Sequence, residues 1–149
     1  MFVYRLTSRR FPICNGQGAK VYGGRWNSPG LAAVYTASTQ SLAALEILAH
    51  TAALSDDYVA IRIEIPADVF IEHIQLADLP DWKTETTRSR GDAWLAEEGS
   101  VAVCVPSKVI PVEFNYVLNP IHRDFKRLII YDPEPFRFDR RLLDRFINS

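Results

Sequence analysis

An α+β fold is predicted by three features of the sequence. Many short apolar runs alternate with only a few short helical stretches, no G-x-G-x-x-G follows a strand, and no G-x-x-x-x-G-K-[ST] is present. The first feature argues against a layered βαβ sandwich; the other two leave dinucleotide-fold and P-loop phosphate sites without support. With 149 residues the chain reads as one domain over 1–149, a size that buries roughly 70% of its unfolded surface and needs neither metal nor disulfide to hold a core.

FVYRLT (2–7) reads as a first strand, and the stretch 9–30, with five glycines and two prolines, as a long irregular segment of the kind that often carries function. AAVYTA (32–37) is a short strand, followed by a helix over 39–54 with Ser38 or Thr39 available as N-cap and no Gly or Pro before Ser55-Asp56-Asp57. In YVAIRIEI (58–65) Val59, Ile61, Ile63 and Ile65 alternate with Arg62 and Glu64, a strand with one wet face. FIEHI (70–74) predicts a further short strand. The stretch 78–99 is polar, anchored by Trp82 and Trp94, with a short helix over 91–98. SVAVCVPS (100–107) has the pattern of a fully buried strand, FNYVLN (114–119) and KRLIIYD (126–132) of two more, and DRRLLDRF (139–146) of a closing amphipathic helix.

Composition narrows the function classes. A net charge of −1 supplies no electrostatic case for nucleic acid or anionic membrane as the main partner. The densest basic stretch, Arg137, Arg140, Arg141 and Arg145, is interleaved with Asp139 and Asp144 and reads as a solvated helix face. No apolar run approaches ~18 residues and MFVYRLTSRR lacks the apolar core of a signal peptide, so a cytoplasmic location is expected. Cys14 and Cys104 lack metal or redox spacing, and Cys104 inside VAVCVP reads as core; with isolated histidines, no metal site is expected.

Glu46 resists a bland reading. It is the sole formal charge between Arg25 and Asp56, and Leu42, Leu45 and Ala49 stand with it at helical spacing, so a carboxylate falls where an apolar stripe should run on a helix expected to be apolar nearly all round. Either it pairs with a buried arginine or reaches a surface edge, or it is held in a cleft to meet a cation or a hydroxyl. Arg25, in GGRWNSPG, is either tied to loop carbonyls or an anion binder, with Gly23 and Gly24 allowing close backbone approach to a ligand. Tyr35 is either core or an aromatic wall, and Ser107 either a turn serine or a ligand contact.

GGRWNSPG, VYTA, LAALEILAH and VPSKVIPVEFNYVLNP, in that order, resemble the RES domain, a family named for its Arg, Glu and Ser, and VYRL fits its usual opening. The resemblance implies an ADP-ribosyltransferase-like fold, a split mixed sheet with a central NAD cleft and a few short helices. It implies a toxin that depletes NAD by hydrolysis or phosphorolysis, or in some members modifies a protein. NAD would be a substrate rather than a cofactor, with phosphate a possible co-substrate, and the partner an Xre-type antitoxin in a joint oligomer. Matched position by position, the family's polar set falls on Arg25, Tyr35, Glu46 and Ser107, with Arg5 held more loosely.

In that scheme Glu46 stabilises positive charge on the ribose, Tyr35 stacks on nicotinamide, and Arg25 pairs with phosphate or orients Glu46. Ser107 hydrogen-bonds the nicotinamide ribose or the carboxamide, and Arg5 adds to NAD binding. Two other readings stand beside it. One is transfer of ADP-ribose to a protein, against whose arginine-directed form Ala44, two residues before Glu46, argues weakly. The other is a non-catalytic binding module in which Glu46 and Arg25 form a buried ion pair.

Overall fold

The computed structural model describes residues 1–147. In chain order they form β1 (Phe2–Ser8), α1 (Gln17–Tyr22), β2 (Val34–Ala37), α2 (Gln40–His50), β3 (Tyr58–Glu64), β4 (Ile71–His73), α3 (Thr84–Glu97), β5 (Ala102–Pro106), β6 (Phe114–Leu118), β7 (Ile129–Ile130), β8 (Glu134–Phe136) and α4 (Arg140–Ile147). The strands make one sheet in the order β4-β5-β6-β2-β1-β3-β7, with β8 also on β3. Only β4 and β5 run parallel among the described strands. The expected α+β class with a mixed sheet is therefore what the chain adopts.

The sheet is split near its middle, between β1 and β2. β1 pairs with β3 along seven residues, from Phe2↔Glu64 to Ser8↔Tyr58. β2 pairs with β6 along all four of its residues. Between β1 and β2 the register is a single pair, Tyr4↔Ala37. The two halves thus touch at one point and diverge, and backbone groups on the diverging edges need partners other than each other.

The core follows the strand periodicity. Val59, Ile61, Ile63 and Ile65 are buried on one face of the β3 region. Every residue of β5 is buried, as a strand covered on both faces requires. Cys14 and Cys104 are buried and unpaired, and burial raises both thiols above their ordinary range.

Four elements depart from the sequence reading. α2 starts as expected, with Thr39 Oγ1 accepting the Leu42 N–H at 3.1 Å, but ends at His50 instead of residue 54. Thr51 is extended, and its hydroxyl donates to the Ala53 carbonyl at 2.7 Å, so a local side-chain bond competes with the helix. α3 spans fourteen residues rather than 91–98, because its buried positions Thr87, Gly91, Trp94 and Leu95 keep helical spacing without an apolar pattern. α1 arises inside the glycine-rich segment. The expected strand 126–132 shrinks to β7, preceded by a 3-10 turn over Arg123–Arg127, and β8 forms from a proline-containing stretch.

α2 is also not buried all round. Leu42 and Ala43 are buried, whereas Leu45 is 40% exposed and Ala49 is exposed. The inward stripe runs through Leu42, Ala43, Glu46 and Ile47, one step round from the stripe read in the sequence. Glu46 remains on the inward side, and Leu45 and Ala49 do not.

Candidate active site

A cleft of about 480 Å³ opens where β1 and β2 part. Tyr4, Arg5 and Leu6 line it from β1, Tyr35, Thr36 and Ala37 from β2, and Ala43, Glu46, Ile47 and His50 from α2. The loop Gly23–Trp26, Lys108 and Asn115 complete the charged and polar wall. Arg5, Arg25 and Lys108 are cationic, and Glu46 is the one carboxylate among the described lining residues. Such a cleft suits a ligand that carries several negative charges and one positive centre.

Glu46 is held by one of its two carboxylate oxygens. Oε1 accepts the Ser107 hydroxyl at 2.7 Å and the Asn115 Nδ2 at 2.8 Å. Oε2 has His50 Nδ1 at 3.8 Å, while that nitrogen sits 2.7 Å from the Glu46 carbonyl one helical turn back. The Glu46 side chain is 22% exposed, so it is neither sealed in the core nor free in water. It reaches the cleft wall with one oxygen committed and the other unclamped.

Ser107 occupies a different place from the ligand contact read in the sequence. It is fully buried, and its hydroxyl proton goes to Glu46. The same oxygen accepts the N–H groups of Val109 and Ile110 at 3.1 and 3.0 Å, which points that proton at the carboxylate. Ser107 stands behind Glu46 and orients it, so direct contact with a ribose or carboxamide is corrected to positioning. Asn115 shares this task from β6 and was missed, since an asparagine inside a strand pattern carries no periodic signal.

Arg25 contributes to the cleft but does not meet Glu46. Its Nη1 donates to the Trp82 carbonyl at 3.2 Å and its guanidinium lies 5.9 Å from the Trp82 ring centroid. The expected role of Arg25 in orienting Glu46 is thus taken by Ser107 and Asn115. The buried Glu46–Arg25 ion pair of the non-catalytic reading is not formed.

Arg5 solves the problem that the sheet split creates. Its Nη1 donates to the Tyr35 carbonyl at 3.2 Å across the gap between β1 and β2. Its Nε is buried without a partner. Burial pulls the guanidinium below its ordinary value, opposed by the nearby Cys14 thiol, yet an arginine stays charged in proteins. A cation with donors to spare at the cleft wall is suited to an anionic ligand.

Tyr35 is fixed by its hydroxyl. It donates to Asn27 Oδ1 at 2.6 Å and accepts the Trp26 N–H at 2.9 Å. Gly24 makes this possible, because a Cβ there would sit 2.5 Å from the Tyr35 oxygen. A Cβ at Gly23 would meet Pro29 Cδ at 2.9 Å and an Arg88 nitrogen at 3.0 Å. The two glycines therefore admit neighbouring side chains of the protein, and both also line the cleft.

Burial pushes the Tyr35 phenol up to about 12, with the Trp26 N–H and the Arg88 charge pulling back and Asp92 adding to the rise. Tyr35→Phe should leave the Trp26 N–H and Asn27 Oδ1 unpaired and cost about 1–3 kcal/mol of unfolding free energy. A raised phenol stabilises the fold below the ordinary phenol value of about 10 and loses that contribution as pH climbs to about 12. Denaturant titrations of both proteins should therefore show the gap between wild type and Tyr35→Phe narrowing over that window; a constant gap would contradict the assignment.

α3 holds the GGRWNS loop in place. The Thr87 hydroxyl donates to the Arg25 carbonyl at 2.6 Å, and Arg88 Nε to the Gly24 carbonyl at 2.7 Å. The Asp92 carboxylate takes the Ser28 N–H at 2.8 Å and the Ser28 hydroxyl at 2.5 Å. Asn27, fully buried, donates to the Ala19 and Leu31 carbonyls, both at 2.8 Å. The polar stretch that had no role in the sequence is thus the loop's support.

Comparison with known proteins agrees with this architecture. The RES domain family matches residues 2–139. The chain belongs to the RES domain family. A Yersinia enterocolitica protein named Toxin Res is 41% identical over 152 residues, covering 95% of this chain and 99% of its own. A Sphingobium protein named Prs ADP-ribosylating toxin is 35% identical over 139 residues, covering 83% and 86%. In fold, the chain resembles the crystal structure of the M. tuberculosis MbcT–MbcA toxin–antitoxin complex at a TM-score of 0.72 and 18% identity, covering 99% of this chain and 89% of that one. Among the described residues of this RES domain, no helix is long and apolar enough to cross a membrane.

Proposed function

We propose that this RES domain is the toxin of a toxin–antitoxin pair and breaks the nicotinamide–ribose bond of NAD. The observation that carries the reading is Glu46, a carboxylate immobilised through Oε1 alone at the wall of a cationic cleft. The names of the Yersinia and Sphingobium relatives support the toxin assignment, and the toxin–antitoxin complex of similar fold supports an antitoxin partner; its Xre type rests on the resemblance of the sequence motifs alone.

The chemistry asks little in the way of proton transfer. Nicotinamide leaves as a neutral base from a cationic ring, so no general acid is required. The barrier lies in charge building on the ribose, an oxocarbenium-like state comparable to that of glycosidases. A carboxylate fixed a few Å away stabilises that charge, and more so in a partly desolvated cleft. The immobile Oε1 of Glu46 means that little reorganisation is needed as the charge develops. Arg5, Arg25 and Lys108 offer donors for the two phosphates, and the anchored ring of Tyr35 a flat surface for nicotinamide.

The test is incubation of purified protein with NAD, with and without phosphate, followed by chromatography for free nicotinamide. ADP-ribose as co-product means water is the acceptor, and its phosphate ester means phosphate is. Absence of nicotinamide release sinks the reading. Transfer to a protein is the second reading, favoured by the name of the Sphingobium relative; the same assay with radiolabelled NAD and cell extract would show a labelled band.

A further inference from the structure

We propose that Asn115 is a positioning residue for Glu46, one whose amide N–H, backed by a buried and unpartnered Oδ1, fixes a single carboxylate oxygen and leaves the other free at the cleft wall. The proposal rests on the reading of Glu46 as the reacting carboxylate. Asn115 lies on β6 between β2 and β5, opposite Ala37 and Val105, so its backbone is tied on both sides. Its Nδ2 is 2.8 Å from Glu46 Oε1.

The other end of the same amide is the informative one. Asn115 Oδ1 is buried and meets no donor. Turned over, the amide would set Oδ1 against Oε1, two acceptors in contact, an arrangement that only a protonated Glu46 could satisfy. With the N–H end on the carboxylate, half of the side chain's hydrogen-bonding capacity is stranded in the protein. Folding gains nothing from that, since a leucine of similar volume would strand nothing. Holding an anionic Glu46 does require it.

Ser107 and Asn115 together saturate Oε1 and leave Oε2 facing the cleft with only His50 near, at 3.8 Å. The other charged or titratable groups that line the cleft around Glu46 are Arg5 and Tyr4 from β1, Tyr35 from β2, Arg25 and Tyr22 from the α1–β2 region, and Lys108 following β5. Asn115 carries no proton equilibrium of its own, so its influence is read through Glu46.

The experiment compares wild type, Asn115→Leu and Asn115→Asp in the whole chain. Nicotinamide release is followed from about pH 5 to about pH 9, beside melting temperature and a crystal structure of each variant. For Asn115→Leu the expected result is a kcat lower by roughly ten- to a hundredfold, a smaller change in KM, and a melting temperature equal to or above wild type. Asn115→Asp places a second carboxyl against the first, and the pair shares a proton. Its activity should peak on the acid side and fall as pH rises, while wild type holds its rate through neutrality.

A wild-type kcat in Asn115→Leu would overturn the proposal, as would a wild-type pH profile in Asn115→Asp. If Asn115→Leu does not fold, the Asp variant decides. If wild type releases no nicotinamide, the proposed function fails, and the crystal structure of Asn115→Leu alone still decides whether Asn115 fixes the Glu46 carboxylate: a carboxylate that keeps its wild-type place overturns the proposal, and one that moves supports it.

Discussion

Glu46→Gln is expected to lose about a hundred- to a thousandfold of kcat, the range seen when a fixed electrostatic group is removed from a transition state. The substitution isolates charge from shape. A glutamine at 46 keeps an oxygen that can accept from Ser107 and Asn115, the partners that hold Oε1 at 2.7 and 2.8 Å. Its amide nitrogen would take the place of Oε2, which has only His50 at 3.8 Å. The helix face, the clamp and the cleft volume therefore stay as they are. The melting temperature should move by no more than a few degrees, since a partly exposed single carboxylate contributes little net stability. NAD affinity, measured by calorimetry on the inactive variant, should hold or rise slightly, because the carboxylate that is lost repels the two phosphates. Nicotinamide release at the wild-type rate would reduce Glu46 to a structural acid and remove the basis of the proposed function.

The residues that sequence could identify are those whose chemistry conflicts with their surroundings. A lone acid in an apolar helix is such a conflict, and Glu46 was legible for that reason, even though the stripe was placed one step round the helix. The alternation in β3 and the unbroken apolar run of β5 were legible because side-chain period and burial coincide there. What was not legible is contact made by polar atoms between distant segments. Ser107 lies 61 residues from Glu46 and Asn115 lies 69 away, and no local pattern announces that they converge. Arg25 was read either as tied to loop carbonyls or as an anion binder; the carbonyl that its Nη1 meets is that of Trp82, 57 residues on, and no local pattern announces that partner. Only the second half of α3, around the buried Trp94 and Leu95, was legible, because its first half packs through Thr87 and Arg88 hydrogen bonds that leave no hydrophobic trace.

Gly91→Ala carries the largest expected effect on stability, and local rules predict its sign wrongly. Gly91 sits inside the fourteen-residue α3, where replacing glycine by alanine ordinarily stabilises a helix by about 1 kcal/mol. Here a Cβ would lie 1.8 Å from the Trp26 carbonyl oxygen and 2.6 Å from its carbon. Neither atom belongs to a flexible side chain. The Trp26 backbone is pinned from the opposite side by Tyr35, whose hydroxyl accepts its N–H at 2.9 Å, and the Trp26 indole is buried. Relief requires α3 and the loop to separate, which breaks or lengthens the bonds from Thr87, Arg88 and Asp92 to Arg25, Gly24 and Ser28. Overpacking together with lost buried hydrogen bonds should cost about 3 kcal/mol or more, lowering the melting temperature by roughly 10 °C in a chain of this size. Gly18→Ala is the control, for a Cβ there meets nothing within 4 Å, and its melting temperature should stay at or above wild type. Whatever Gly91→Ala remains folded at lower temperature should also bind NAD more weakly, since the loop that shifts carries Arg25. A melting temperature at or above wild type for Gly91→Ala would mean that the loop is not braced by this helix, and the cationic side of the cleft would need another support.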